Sequence, residues 1–365
     1  MFTSLIQRVN DRTAILENFL RLCSTCDEAV ANEASTLFHE LSSRNALPSN
    51  LREERTFRHC AVITQLYNIY EAFAESALTI WLARLPRYHS LSDLPETLRN
   101  AYRHGIGGII QNIAGQRYRH LSIDKVLEKY LASVQGISPW EIVNEALTSH
   151  DTNLRREKFE QMFNLVGLEG VWSEIEKNAQ ILSLTTERDA KRSLQQTILE
   201  LVTYRNEASH GTPDDLLGLD ILSEWVLFIK AFCYALAEAV LHRVVLAEAT
   251  HKPESVLGVI TEIFSDNIAV ATCDRGKIKV GDKIYFLRES DCTNAMIESI
   301  QLNEIDQSEI EIDRPGVEVG LRTSIKIHLK SRLVRVENHV DEGVSRLVDG
   351  TSQLENEDAS SAAEF

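Results

Sequence analysis

An arginine, an amide and a histidine stand together late in this chain, in Tyr204-Arg205-Asn206-Glu207-Ala208-Ser209-His210-Gly211. Arginine grips a phosphate as a planar, permanently charged fork. Histidine moves protons near neutral pH. Together they suit the polarising of an RNA phosphate and the activation or protonation of a ribose oxygen, with no metal required. Asn206 and His210 are four residues apart and so share a helix face. Arg205 and Ser209 repeat that spacing one position round, which lets the guanidinium reach over the same rim. A plainer reading stays open: a solvated helix end, where the dipole favours a cation.

The element that must hold these groups is an amphipathic helix over residues 186–210. Leu194, Ile198, Leu199, Leu201 and Val202 recur at helical spacing. Gly211 stands where a C-terminal cap belongs, and Pro213 cannot continue the helix. An arginine followed by a histidine with four to six residues between them recurs elsewhere. The 84–89 pair encloses the helix breaker Pro86, and Arg52 to His59, at a longer spacing, lies early in a helix. Arg99-Asn100-Ala101-Tyr102-Arg103-His104-Gly105 is the serious rival, since it too meets a glycine.

The first 250 residues carry helical periods almost throughout. Residues 5–43 read as helix, with a break near Cys23 to Asp27 dividing two. Residues 51–85 form a long central helix with Val62, Leu66, Ile69, Tyr70, Phe73, Ala77 and Trp81 on one stripe. Glu71 and Glu75 fall near that stripe, and a carboxylate close to a core is paired or faces a cleft. Glu71 is therefore either a structural partner of an arginine or the group that orients Arg205 or Asn206. A helix from Ser92 or Asp93 follows, loosened by Gly105, Gly107 and Gly108, so that it kinks or packs closely. Ser138-Pro139-Trp140-Glu141 has the form of a helix start for residues 139–148. Asp151 to Asn153 then cap 154–166, and another helix covers 171–182. Arg117 and Arg119, beside Tyr118, and the cluster Arg155, Arg156 and Lys158 are candidate RNA contacts or solvated surface. The last helix, 216–247, is apolar on more than one stripe, which predicts burial on several sides, including against a second subunit.

After Lys252-Pro253 the period changes to short strands: 256–264, 267–272, 276–286, 297–300, 315–321, 324–329 and 332–336. Regular turns between them predict a small antiparallel barrel over 254–337. Residues 338–365 are acidic and poor in apolar side chains, which predicts a flexible tail. The fold class is thus multidomain, an all-α helical bundle followed by a small antiparallel β-barrel.

Net charge is −16. That argues against sequence-blind nucleic-acid binding, which needs a basic surface, and for a narrow substrate at a local cleft. No run of 18 apolar residues and no secretory leader is present, so a cytoplasmic protein is expected. Cys23 and Cys26 form one C-x-x-C without the second pair a zinc site needs, and the other four cysteines are scattered. No metal or cofactor is expected.

The Arg205-Asn206-x-x-x-His210-Gly211 run in the helix before the last resembles the arginine–histidine signature of the HEPN superfamily. Leu66-Tyr67-x-x-Tyr70-Glu71-x-Phe73 and Asn153-Leu154, followed by Phe163-x-x-Val166-Gly167-Leu168, resemble stand-alone bacterial HEPN proteins of toxin–antitoxin and phage-defence loci. The likeness covers residues 1–250 and favours 205–210 over 99–104. It implies a metal-independent endoribonuclease, a homodimer with two motifs facing each other, with Arg205, Asn206 and His210 catalytic and Glu71 and Ser209 in support. It also implies a regulatory partner such as an antitoxin. The strand region, with Gly276-x-Ile278-Lys279-Val280-Gly281-Asp282 and Pro315-Gly316-x-x-Val319-Gly320-Leu321, resembles domain 2 of translational GTPases such as elongation factor Tu. There is no P-loop, so this is no GTPase. The barrel would either steer the chain to tRNA or another translation-linked RNA, or stabilise it and bind protein. A non-catalytic nucleotide-binding or interaction protein is the alternative to the nuclease.

Overall fold

Helical periods ending at Lys252 and alternating strands after it set the order of elements. The computed structural model describes residues 2–32, 36–44, 51–186, 193–211, 213 and 215–336. The expected acidic tail and the start of the motif helix at 187–192 lie outside the described residues. Among the described residues the helices are α1 (Thr3–Ala31), α2 (Thr36–Ser43), α3 (Leu51–Leu82), α4 (Leu85–Tyr88), α5 (Glu96–Gln111) and α6 (Ile123–Gln135). They continue with α7 (Glu145–Thr148), α8 (Arg156–Leu165), α9 (Val171–Lys177), α10 (Ala179–Thr186), α11 (Leu194–His210) and α12 (Leu219–His251). Two compact units emerge: Phe2–Leu82 with Leu91–Ala237, and Ala83–Ser90 with the chain from Glu238 onward. The division falls inside α12.

In the helical unit α3 is the centre, as its stripe predicts. Val62, Leu66, Tyr67, Tyr70, Phe73 and Ala77 are all buried. The first part of α12 adds Leu222, Trp225, Val226, Ile229 and Phe232 to the core. The Phe232 ring meets Tyr70 at 5.1 Å and Phe159 of α8 at 6.1 Å, both edge to face. These side chains are buried within one chain. α12 is long and apolar enough to cross a membrane but is mostly buried, which marks it as a core helix. Arg58 ties α3 to α1 through a two-pronged contact with Asp27, at 2.9 and 3.1 Å.

Several elements differ from expectation, each for a local reason. α1 runs unbroken through Cys23 to Asp27. Its short polar side chains bond within the helix, Ser24 to Glu28 and Thr25 to the Arg21 carbonyl, each at 3.1 Å. The helix expected over 139–148 is confined to α7. Trp140, Ile142 and Val143 are instead buried in irregular chain, where the Val143 N–H donates to the Tyr102 hydroxyl at 3.1 Å. α8 begins after residue 154 because both backbone groups of Leu154 are taken by tyrosines of α3. α6 is an addition to the expected helices.

The strands are β1 (Val256–Ser265), β2 (Ile268–Cys273), β3 (Gly276–Lys279), β4 (Lys283–Leu287), β5 (Cys292–Leu302), β6 (Ile305–Gln307), β7 (Glu309–Ile312), β8 (Val317–Thr323) and β9 (Arg332–Val334). The order β4-β9-β1-β2-β8-β5 closes through a β4–β5 pairing into a six-stranded antiparallel barrel. Leu257, Ile260, Ala271, Phe286, Ile297, Val319 and Leu333 fill it. The expected 276–286 strand divides into β3 and β4 at Gly281, whose φ of 90° suits glycine. Residues 324–329 are not a strand: the Ile327 N–H donates to the Asp266 carbonyl at 2.8 Å, tying this loop to the β1–β2 turn.

Candidate functional site

The site is built on the last turns of α11. Ser193 caps the helix start, accepting from the Gln196 N–H while the Gln196 side chain accepts from the Ser193 N–H. Leu194, Ile198, Leu201 and Val202 bury the inner face. Gly211 ends the helix with a φ of 69°, as its position predicts. Arg205 and Asn206 are half-buried, and Ser209 and His210 are exposed.

Arg205 and Asn206 are held from two sides. The Arg205 guanidinium carbon lies 5.1 Å from the centre of the Tyr67 ring of α3, a cation–π distance. Arg205 Nη1 also donates to Asn206 Oδ1 at 3.3 Å. Asn153, in the loop before α8, donates through Nδ2 to the same oxygen at 2.9 Å. Tyr67 is fixed in turn. Its hydroxyl donates to Glu71 Oε1 and accepts from the Leu154 N–H, both at 2.9 Å. Burial holds its pKa well above the ordinary phenol value, so it remains a donor. The neighbouring Tyr70 donates to the Leu154 carbonyl at 2.8 Å. Glu71 therefore acts on Arg205 through Tyr67.

Behind this layer lies His150, 9% exposed. Its Nδ1 is 2.7 Å from the Thr152 carbonyl, and its Nε2 is 3.3 Å from Glu75 and 3.8 Å from Glu71. Acceptor oxygens near both nitrogens favour the protonated ring, although Nε2 makes no close hydrogen bond. The Glu75 carboxylate raises its pKa above 6.5, against the opposing effect of burial. Arg117 completes the layer, donating to the His150 carbonyl at 2.8 Å and lying 3.4 Å from Glu75.

The remaining candidates separate. Ser209 donates to the Arg205 carbonyl at 2.9 Å, so its hydroxyl serves the helix backbone. Arg156 is engaged by Gln195 at 3.1 Å, Glu160 at 3.3 Å and the Trp172 ring at 5.7 Å. Arg117 is engaged as above, and Lys158 is 3.3 Å from Gln161. Arg155 and Arg119 are exposed, and Arg155 follows Asn153 by two positions. Of the rival pairs, Arg99 and His104 lie inside α5, which continues past Gly105 to Gln111. His59 is fully buried and accepts from the Leu217 N–H at 3.2 Å. Arg84 is buried beside Glu248 at 3.9 Å. Sequence reasoning assigned no site role to His150 or Asn153. Asn153 entered that reading only as a helix cap and within the Asn153-Leu154 resemblance, and His150 not at all.

The family model described as RiboL-PSP-HEPN matches residues 28–242. The chain belongs to that family. The matched span holds α3, α11 and every residue of the site just described, His210 included. No curated protein matches this HEPN chain. Two solved structures show slight likeness, both of the C-terminal domain of a U32 peptidase of Geobacillus thermoleovorans. One, the selenomethionine variant, has 15% identity, TM-score 0.20, and covers 22% of this chain and 99% of its own. The other has 16% identity, TM-score 0.21, and covers 23% and 94%. Such likeness bears on neither activity nor partner.

Proposed function

We propose that this chain is a metal-independent endoribonuclease. The observation that carries the reading is the end of α11. There a charged fork is already fixed over Tyr67, an amide is locked beside it, and an exposed histidine stands one turn on. His210 removes the proton of a ribose 2′-hydroxyl, and that oxygen attacks the adjacent phosphorus. Arg205 holds the non-bridging oxygens as charge builds on them. The bond to the 5′-oxygen breaks, and that oxygen takes a proton from the second copy's His210 across a two-fold site. The products carry a 2′,3′-cyclic phosphate and a 5′-hydroxyl. Arg205 supplies the charge that a metal supplies in other nucleases, and its preset position lowers the cost of ordering it.

Membership of a HEPN family supports an RNase-type or nucleotide-binding domain, and the toxin or defence role extends that reading. The barrel, whose sequence pattern resembles domain 2 of translational GTPases although no comparison bears that resemblance out, would direct the chain to tRNA or another translation-linked RNA. An antitoxin or similar regulator would restrain it. One observation favours the alternative, a non-catalytic binding protein: the charge is −16, and two of the candidate RNA contacts, Arg117 and Arg156, are engaged by the chain's own groups. Incubation of the full chain with cellular RNA in EDTA separates the two. Wild type is expected to cut while His210→Ala loses at least about 100-fold in rate. Equal behaviour of the two proteins would end the nuclease reading.

A further inference from the structure

The Asn206 amide has a fixed direction. Arginine can only donate, so the Asn206 atom facing Arg205 Nη1 is the oxygen. The same oxygen receives Asn153 Nδ2 at 2.9 Å. With both donors on Oδ1, the Asn206 NH2 group is turned the other way. Among the described residues its two N–H bonds have no acceptor, and the side chain is half-buried, so it opens toward solvent.

Asn153 is itself set by a tightly held loop. Leu154, next to it, is fixed through its N–H by Tyr67 and through its carbonyl by Tyr70. His150, three residues before, lies between Glu71 and Glu75, and its carbonyl accepts from Arg117. Tyr118 reaches Ser149 at 3.3 Å. Tyr67 thus holds both the loop that carries Asn153 and the guanidinium of Arg205. One α3 side chain sets the spacing between the two donors on Asn206.

We propose that Asn153 is a positioning residue of the nuclease site: it locks the Asn206 amide so that its N–H bonds aim at a non-bridging oxygen of the scissile phosphate. The proposal rests on the nuclease reading and deepens it. Asn206 becomes a second phosphate donor beside Arg205, and the loop 149–154 becomes part of the site. Without Asn153 the amide rotates, and half its orientations present oxygen to an anion.

Asn153→Asp tests this, since it keeps the shape and removes the donated hydrogen. An aspartate beside Oδ1 draws the Asn206 NH2 toward itself and turns the oxygen outward. Expected is a fall in kcat of between about tenfold and 100-fold, an RNA KM close to wild type, and an unchanged thermal midpoint for Asn153→Ala and Asn153→Asp. The double variant Asn153→Asp, Asn206→Ala is expected to be no slower than Asn206→Ala alone, because Asn153 acts through Asn206. If wild type cuts RNA but Asn153→Asp matches it, or the two losses multiply, this proposal falls and the nuclease reading stands. If wild type and His210→Ala are alike, both fall. A loss that tracks a lowered thermal midpoint in both Asn153 variants would show a structural role and overturn the positioning role.

Discussion

At the scale of single residues, the site is a layered arrangement in which each side chain is fixed by the next. Arg205 rests on Tyr67, Tyr67 on Glu71, and Glu71 faces His150 with Glu75. Arg117 supports the far side. His150 gives this arrangement a pH dependence. Its pKa in the folded chain is raised above 6.5 by the carboxylate it meets. The stabilisation is therefore complete below about pH 6.5 and is lost as pH rises through the folded value. Thermal unfolding followed from pH 5.5 to 9 should show wild type losing stability on the alkaline side, while His150→Gln is less stable at pH 6 and lacks that decline. Parallel curves for the two would contradict it. Spacing brought Arg205, Asn206 and His210 onto one helix end, but it fitted Arg99 to His104 as well, and the family resemblance was what favoured 205–210. Asn153 and His150 were illegible as site residues. Leu154, which places them, is fixed by hydrogen bonds from Tyr67 and Tyr70, more than 80 residues away, and no local pattern encodes such a pairing.

At the scale of elements, glycines mark where helices approach closely and where they merely end. A Cβ added at Gly105 of α5 would lie 2.0 Å from the Ala146 carbonyl oxygen, so α5 meets the α7 backbone directly there. At Gly107 and Gly108 nothing lies within 4 Å. Gly105→Ala should destabilise by about 1–3 kcal/mol. Gly107→Ala and Gly108→Ala should each stabilise by about 0.5–1 kcal/mol, since they relieve the entropic cost of glycine in a helix. Urea unfolding reads all three, and a stabilised Gly105→Ala would refute the packing. The same contrast explains what could be read in advance. The caps of α11, the core stripe of α3 and the closing strands of the barrel announce themselves locally. The stretch before α7 did not, because Trp140, Ile142 and Val143 are buried by tertiary contacts that no helical period describes. α6 shows the opposite case: Ile123, Leu127, Leu131 and Val134 carry a helical period on an exposed face.

At the scale of the whole molecule, a HEPN helical unit and a closed barrel belong to one chain of net charge −16. The compact unit that contains the barrel also includes α4 and the end of α12. There Arg84 and Glu248 are both buried, 3.9 Å apart, with the Tyr88 hydroxyl donating to Glu248 and Lys252 Nζ 3.5 Å from it. Removing Arg84 takes one of three partners from a buried carboxylate. Arg84→Met should cost about 3 kcal/mol, and the double exchange Arg84→Met, Glu248→Leu should cost less than the single one. Chemical denaturation of the full chain distinguishes these, and a double variant weaker than the single would contradict the pairing. On the proposed nuclease reading, a net charge of −16 favours a narrow substrate over sequence-blind RNA binding.

The most direct test of the central claim is the chemistry of the cut ends. RNA treated with wild type in EDTA should carry 2′,3′-cyclic phosphate on one side of the cut and 5′-hydroxyl on the other, and neither should form with His210→Ala. Ends bearing 3′-hydroxyl and 5′-phosphate, or cyclic ends produced equally by the variant, would contradict it.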